Sequence, residues 1–269
     1  MKQNLPFVVM DVDNTLVPSG KQISNENKEA ISLYLKQGGK IMLATGKVPS
    51  ALYELIRILN IEDNYHIAGN GSFLFHMNKN EFQELFKLGN NSKMIIQSLI
   101  ENKISAYVYY ADTINIIGRG HTKKEIEHMI SLGEPTPMVN EEINYEEVVK
   151  ILFFIDNDDF EKEKLIRELL EPYMGDYHFI RTGSYLLEIH HQEQTKANAL
   201  KKYTELFPAE LENFYAIGDS ENDLSMLEVV GNPYIVGNAS EELKRRFKNM
   251  LPSCEDNGVS ILLKRLMNL

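Results

Sequence analysis

The sequence predicts an α/β fold in which a parallel-sheet core is interrupted by an inserted α+β domain. Three observations predict it. Short apolar runs that stop at polar residues alternate with amphipathic stretches up to about residue 78. From 79 to 190 strand-like runs come partly in adjacent pairs with helical stretches between them, and after 191 the strand–helix alternation resumes. A chain of 269 residues suits this layout, since a single domain commonly takes about 150. The expected division is 1–78 with 191–269 as one core, and 79–190 inserted into it.

The elements follow in order. Pro6-Phe7-Val8-Val9-Met10 is a short apolar run stopped by Asp11, as a parallel strand buried on both faces would be. Residues 25–37 carry Ala30, Leu33 and Tyr34 at helical spacing and end at Gly38-Gly39, a C-terminal stop. Residues 40–44 form a second strand, Pro49 opens a helix through 59, and 65–68 form a third strand before Asn70-Gly71. In the insert, strands are expected at 104–110, 113–117, 151–155, 177–181 and 185–189, with helices at 92–102, 122–131 and 160–173. The core then resumes with helix 196–207, strand 214–217, helix 222–230 and strand 234–236, closed by helices at 240–247 and 259–267.

Composition narrows the function. Hydrophobic residues at 43% and charged ones at 25% are ordinary for a globular chain and exclude disorder. The net charge of −11 argues against a nucleic-acid or anionic-membrane surface. Residues 79–190 hold 12 Lys and Arg against 20 Asp and Glu, so the acidity lies mostly on the insert and makes long polyanions poor ligands there. Cys254 is the only cysteine and cannot form an intrachain disulfide. Leu5 to Met10 is too short for a signal-peptide core, and no run approaches a membrane span. The chain is read as a soluble cytoplasmic protein; its oligomeric state is not legible.

In open α/β sheets ligands bind beyond the carboxyl ends of the strands. Four polar groups fall there or beside it: Asp11-Val12-Asp13-Asn14-Thr15, Thr45-Gly46-Lys47, Lys196, and Gly218-Asp219-Ser220-Glu221-Asn222-Asp223. Each alone is also what a helix cap or a solvated helix face contains. Together they differ. Several carboxylates in one crevice repel one another unless a cation sits among them. Oxygen ligands with room for water and phosphate favour Mg²⁺. With Lys196 as a second positive charge and Thr45 as a hydroxyl donor, the set suits phosphoryl transfer, where catalysis is positioning and charge neutralisation.

The order of these groups resembles the four motifs of the haloacid dehalogenase-like phosphohydrolases. The insert after Asn70-Gly71-Ser72, the Asn222-Asp223 pair, Gly237-Asn238-Ala239 and Asn257-Gly258-Val259 resemble the Cof-type branch with a type-B (IIB) α/β cap. The resemblance implies a Rossmann-like catalytic core and a cap at 79–190. It also implies a Mg²⁺-dependent phosphatase that hydrolyses small phosphorylated metabolites, sugar phosphates or phosphorylated cofactors, through an aspartyl-phosphate. On the matching positions it makes Asp11 the nucleophile and Asp13 the general acid and base. Asp11, the Asp13 main-chain carbonyl and Asp219 would hold Mg²⁺, with Asp223 acting directly or through water. Thr45 and Lys196 would grip the phosphoryl oxygens, with Lys196 also keeping Asp11 ionised. Asn14, Gly46, Lys47 and Asn222 would add phosphate or substrate contacts. The family usually has Gly where Asn14 stands and often Arg where Lys47 stands. Asn tolerates left-handed backbone, whereas Lys loses the bidentate fork of Arg.

Three other readings share parts of the pattern. A phosphomutase of the phosphomannomutase type would use the same nucleophile but return the phosphoryl group to sugar. A receiver domain also uses Asp, Thr, Lys and Mg²⁺, but in another order and without a large insert. A catalytically silent phosphometabolite-binding protein would not need Asp11, Asp13, Lys196 and Asp219 together. Outside the motifs, His190 and His191 read as structural or hinge residues, and Arg181-Thr182-Gly183 as a hairpin tip.

Overall fold

Val8, Val9 and Met10 are consecutive and fully buried in strand β1 (Phe7–Met10). Burial of both faces is what a parallel sheet flanked by helices requires. The computed structural model describes residues 5–140, 142–155, 159–173, 175–182 and 186–269. The chain divides into two units, Met1–Leu85 with Thr195–Leu269, and Phe86–Gln194.

In the first unit, α1 (Asn25–Lys36) begins at Ser24, whose hydroxyl accepts the Asn27 N–H, and stops before Gly38-Gly39. Strand β2 (Lys40–Leu43) pairs in parallel with β1. Pro49 opens a single 3-10 turn that leads into α2 (Tyr53–Leu59), which ends on left-handed Asn60. Strand β3 (Tyr65–Ala68) joins the edge of β2 through the Thr45 N–H, which donates to the Ile67 carbonyl at 3.0 Å. Strands β4 (Phe73–His76) and β5 (Glu81–Glu84) then extend β3 as an antiparallel meander. The chain therefore leaves this unit after Leu85, not at 79 as expected. The reason is β5, a mostly polar and exposed edge strand that carries little strand signal but pairs along its whole length with β4.

The second unit comprises α3 (Ser92–Glu101), β6 (Ala106–Tyr109), β7 (Ile114–Ile117), α4 (Lys123–Ser131), β8 (Met138–Val139), β9 (Lys150–Phe154), α5 (Phe160–Leu170), β10 (Tyr177–Thr182) and β11 (Leu186–His191). Its sheet runs in the order β10-β11-β9-β6-β7-β8, antiparallel except for the short β7–β8 pair. Alternation sets its two faces apart. Val108, Ile151, Phe153, Leu187 and Ile189 pack against Ile95, Ile96 and Leu99 of α3 and Ile166 and Leu170 of α5. The opposite register holds Tyr107, Tyr109, Lys150, Glu188 and His190, with Lys150 donating to Glu188 at 3.1 Å. Of the expected hairpin tip Arg181-Thr182-Gly183, Arg181 and Thr182 are the last two residues of β10, and Gly183 lies outside the described residues, as does Tyr185 at the expected start of β11.

The chain returns to the first unit through α6 (Lys196–Leu206), β12 (Phe214–Gly218), α7 (Leu224–Val229), β13 (Asn232–Ile235), α8 (Glu241–Arg246) and α9 (Gly258–Leu266). The parallel order is β13-β12-β1-β2, with Met10 level with both Ile217 and Leu43. Pro233, which cannot donate to a ladder, sits in the edge strand β13. Val9, Met42 and Ala216 form one core with Ala199 and Leu200 of α6 and Met226 and Leu227 of α7. On α1, buried Asn27 ties two segments together: its amide donates to Leu16 O and accepts from Ser260 N on α9. No helix among the described residues is long and apolar enough to cross a membrane.

Candidate active site

The level register of Met10, Leu43 and Ile217 brings the residues that follow β1, β2 and β12 to one end of the parallel sheet. Asp11, the first residue past β1, is buried, and its backbone N–H donates to Ile217 O at 3.0 Å. Lys196 opens α6, held there by Thr195, whose hydroxyl accepts from Asn198 N. Gly71 lets this helix start come close, since a Cβ there would lie 2.2 Å from the Thr195 carbonyl oxygen. The fully buried Lys196 ammonium donates to Asp11 Oδ1 and to Asp223 Oδ1, each at 2.6 Å.

Asp223 is held as firmly from its other side. Its Oδ2 accepts the backbone N–H groups of Asp219 at 2.9 Å and Ser220 at 3.2 Å. Gly218 makes room for this, because a Cβ there would lie 2.5 Å from Asp223 Cβ. Asp219 Oδ1 accepts the hydroxyl of the fully buried Thr15 at 3.0 Å. One carboxylate oxygen from each of Asp11, Asp219 and Asp223 lies within 4.8 Å of the others.

One ammonium thus bonds two of three neighbouring carboxylates, and the titration behaviour follows from that. Burial, and next the Asp223 charge, push the Asp11 carboxyl well above the usual carboxylate range, against the pull of Lys196. Burial and Asp223 push Asp219 up to about 7. Burial opposes the Lys196 charge, but Asp11 and Asp223 together outweigh it and hold the lysine above its ordinary value. The Lys196 charge is divided between Asp11 and Asp223, so it offsets only part of the effect of burial on Asp11. An all-oxygen group with this surplus of negative charge fits a hard divalent cation such as Mg²⁺.

The remaining expected residues line the same strand ends. Asp13 is outside the three-carboxylate group; its Oδ1 accepts from Lys47 Nζ at 2.7 Å, and its side chain is 43% exposed. Asn14 adopts left-handed backbone with φ +59°, a conformation that asparagine tolerates. Thr45 Oγ accepts the Lys47 backbone N–H at 3.2 Å, which leaves the buried hydroxyl proton available for donation. Gly46 faces the Asn70 amide. Asn222 donates to Asn70 Oδ1 at 3.0 Å and accepts from Ser220 Oγ at 2.7 Å. His190 and His191 belong to β11 in the other unit, where His190 is buried and the His191 ring stacks on Phe86.

Sequence reasoning missed Thr15 as the partner of Asp219, Asn70 as the partner of Asn222, and Asn238, whose amide reaches the Asn14 carbonyl. Asn70 and Asn238 each lie in a motif noted for its resemblance alone. Their contacts lack a local signal, spanning 152 and 224 residues of chain.

A family profile described as haloacid dehalogenase-like hydrolase matches residues 8–263. The 5-amino-6-(5-phospho-D-ribitylamino)uracil phosphatase YwtE of Bacillus subtilis (strain 168) is 26% identical over 285 residues, covering 97% of this chain and 98% of the relative. Among solved structures, a haloacid dehalogenase-like hydrolase from Bacteroides thetaiotaomicron superposes with a TM-score of 0.86 at 24% identity, covering 97% of this chain and 99% of the other. The subclass IIB sugar phosphatase BT4131 superposes with a TM-score of 0.80 at 22% identity, covering 98% and 100%. The profile runs from β1, just before the Asp11 turn, into α9, and so takes in every residue of the acidic site; the chain belongs to the haloacid dehalogenase-like hydrolases.

Proposed function

We propose that this chain hydrolyses phosphate monoesters of small metabolites, with Asp11 as the nucleophile. One observation carries the reading: Lys196 joins Asp11 to Asp223 at 2.6 Å on each side, with Asp219 completing an oxygen group of 4.8 Å extent. Asp11 attacks phosphorus, the ester P–O bond breaks, and Asp13 donates a proton to the departing alkoxide. Asp13 then takes a proton from water, whose oxygen attacks the Asp11-bound phosphorus, releasing inorganic phosphate and restoring the carboxylate. Two of the three Lys196 N–H donors are used by Asp11 and Asp223, so the third is available to a phosphoryl oxygen, as is the Thr45 hydroxyl. Asp11, Asp219, Asp223 and the Asp13 carbonyl would hold Mg²⁺, which when bound offsets charge on the carboxylates and the phosphoryl group.

Lys47 holds Asp13 at 2.7 Å and is placed to steady it as acid and base. The unit 86–194 is read as a cap that selects substrate, and its expected acidity disfavours long polyanions. The names of YwtE and BT4131 support a phosphorylated ribityl or sugar-like substrate. The test is a panel of phosphorylated metabolites assayed for phosphate release with Mg²⁺, with EDTA and with Asp11→Asn. The reading expects turnover that both chelation and the substitution abolish. Activity that survives loss of Asp11 would overturn it, and transfer to a second sugar hydroxyl without phosphate release would favour a mutase.

A further inference from the structure

The loop after β13 touches both acid-bearing loops of the site. Asn238 Nδ2 donates to the Asn14 carbonyl oxygen at 2.8 Å, and its Oδ1 accepts the Cys254 backbone N–H at 2.8 Å. Two residues on, the Ser240 N–H donates to the Asp219 carbonyl at 2.8 Å. A third segment, the turn before α9, is bound to the same loop by Gly237 N donating to Pro252 O at 3.3 Å.

The bond to Asn14 falls on a turn of the site. Asn14 sits at φ +59°, a conformation that side chains other than glycine adopt at some cost, and it follows the proposed acid and base directly. Its own N–H donates to Val17 O at 2.8 Å, and its side chain accepts from Ser19 N at 3.1 Å. Of the hydrogen bonds made by Asn14, the one at its carbonyl reaches across the chain, spanning 224 residues. Both functional ends of the Asn238 amide are thereby occupied by backbone from two different segments, although the residue is exposed.

We infer that Asn238 is a positioning residue: it bonds Asn14 O on one side and Cys254 N on the other, and because Ser240 two residues on bonds Asp219 O, it fixes the Asp11–Asn14 turn relative to the Asp219 loop. The inference rests on the phosphatase reading for its kinetic consequences, but the anchoring itself can be measured without turnover. Cys254 is the only thiol of the chain, is 3% exposed, and sits in the turn that Asn238 holds. Burial also keeps it protonated, pushed up to about 12, so its reaction with a disulfide reagent reports opening of the turn.

The experiment compares the full-length wild type with Asn238→Ala and Asn238→Asp. It uses p-nitrophenyl phosphate with Mg²⁺ for kinetics and Ellman's reagent for the thiol, below the melting temperature of all three proteins. Asn238→Ala loses both bonds and is expected to expose Cys254, raising its reaction rate at least about tenfold, and to lower kcat roughly tenfold with KM changed less than about twofold. Asn238→Asp keeps the acceptor for Cys254 N but loses the donor to Asn14 O. It is expected to keep the thiol as protected as wild type while losing kcat, with half-saturating Mg²⁺ not increased by the added carboxylate. The inference is overturned if either variant retains wild-type kcat, if the thiol rate of Asn238→Ala does not rise, or if Asn238→Asp exposes the thiol as fully as Ala does. If the wild type itself releases no phosphate, the phosphatase reading fails, and the thiol rates still decide whether Asn238 anchors the turn.

Discussion

Lys196 Nζ lies 2.6 Å from Asp11 Oδ1, though 185 residues of chain separate them. The same nitrogen lies 2.6 Å from Asp223 Oδ1, and none of the three residues has appreciable contact with solvent. A buried cation shared by two carboxylates makes each of the three depend on the others. Removing the cation leaves two buried negative charges beside Asp219.

Lys196→Met is therefore expected to destabilise the metal-free protein by about 3 kcal/mol, the usual effect of orphaning a buried charge. Mg²⁺ should recover part of that stability, whereas phosphate release should stay below about one thousandth of wild type even at saturating metal. Thermal melts with and without Mg²⁺, paired with the phosphate assay, check both halves.

Thr15 is the buried partner of Asp219, spanning 204 residues at 3.0 Å. Thr15→Val keeps the shape and removes the hydroxyl, so Asp219 loses a bond that favours its ionised form. The expected result is a half-saturating Mg²⁺ concentration raised about tenfold, with Thr15→Ser close to wild type. Magnesium titrations of activity, or of melting temperature, read it out.

His66 offers a pH test outside the carboxylate group. Its Nδ1 accepts the Leu43 N–H at 3.2 Å, and its Nε2 faces Ile61 O at 3.0 Å, so the neutral ring with the proton on Nε2 satisfies both. Burial lowers its pKa from 6.5 to about 4. The folded state thus holds fewer protons than the unfolded one between these values, and stability falls as pH drops through that window. The loss approaches about 3 kcal/mol by pH 4, from a shift of this size. His66→Gln cannot titrate, so its stability deficit relative to wild type should narrow steadily from pH 7 to pH 4 in urea melts. A constant deficit would contradict this.

The parallel core was legible because its strands are buried on both faces and read as unbroken apolar runs, as Val8-Val9-Met10 and Ile41-Met42-Leu43 do. The acidic site was legible for a related reason: level parallel strands carry whatever follows them to one edge, so Asp11, Thr45 and Asp219 needed no long-range information to be grouped. The β4–β5 hairpin was not legible. Glu81, Phe82 and Glu84 are exposed, and alternation weakens in a short, mostly polar edge strand. Nor were Thr15, Asn70 and Asn238 as partners, because small polar residues after strands look alike whether they cap a helix or reach across the chain. His66 was read only as part of a strand; that its ring substitutes for a backbone acceptor at the edge of β2 depends on packing.

On the proposed mechanism Asp11 carries the phosphoryl group between the two displacements. Rapid acid quench during turnover of a phosphate ester that the enzyme hydrolyses, followed by borohydride reduction, converts an aspartyl-phosphate into homoserine at that residue. The expected result is homoserine at position 11, in wild type with Mg²⁺ and not with EDTA. Homoserine at Asp13, Asp219 or Asp223, or at no aspartate while phosphate is being released, would contradict it.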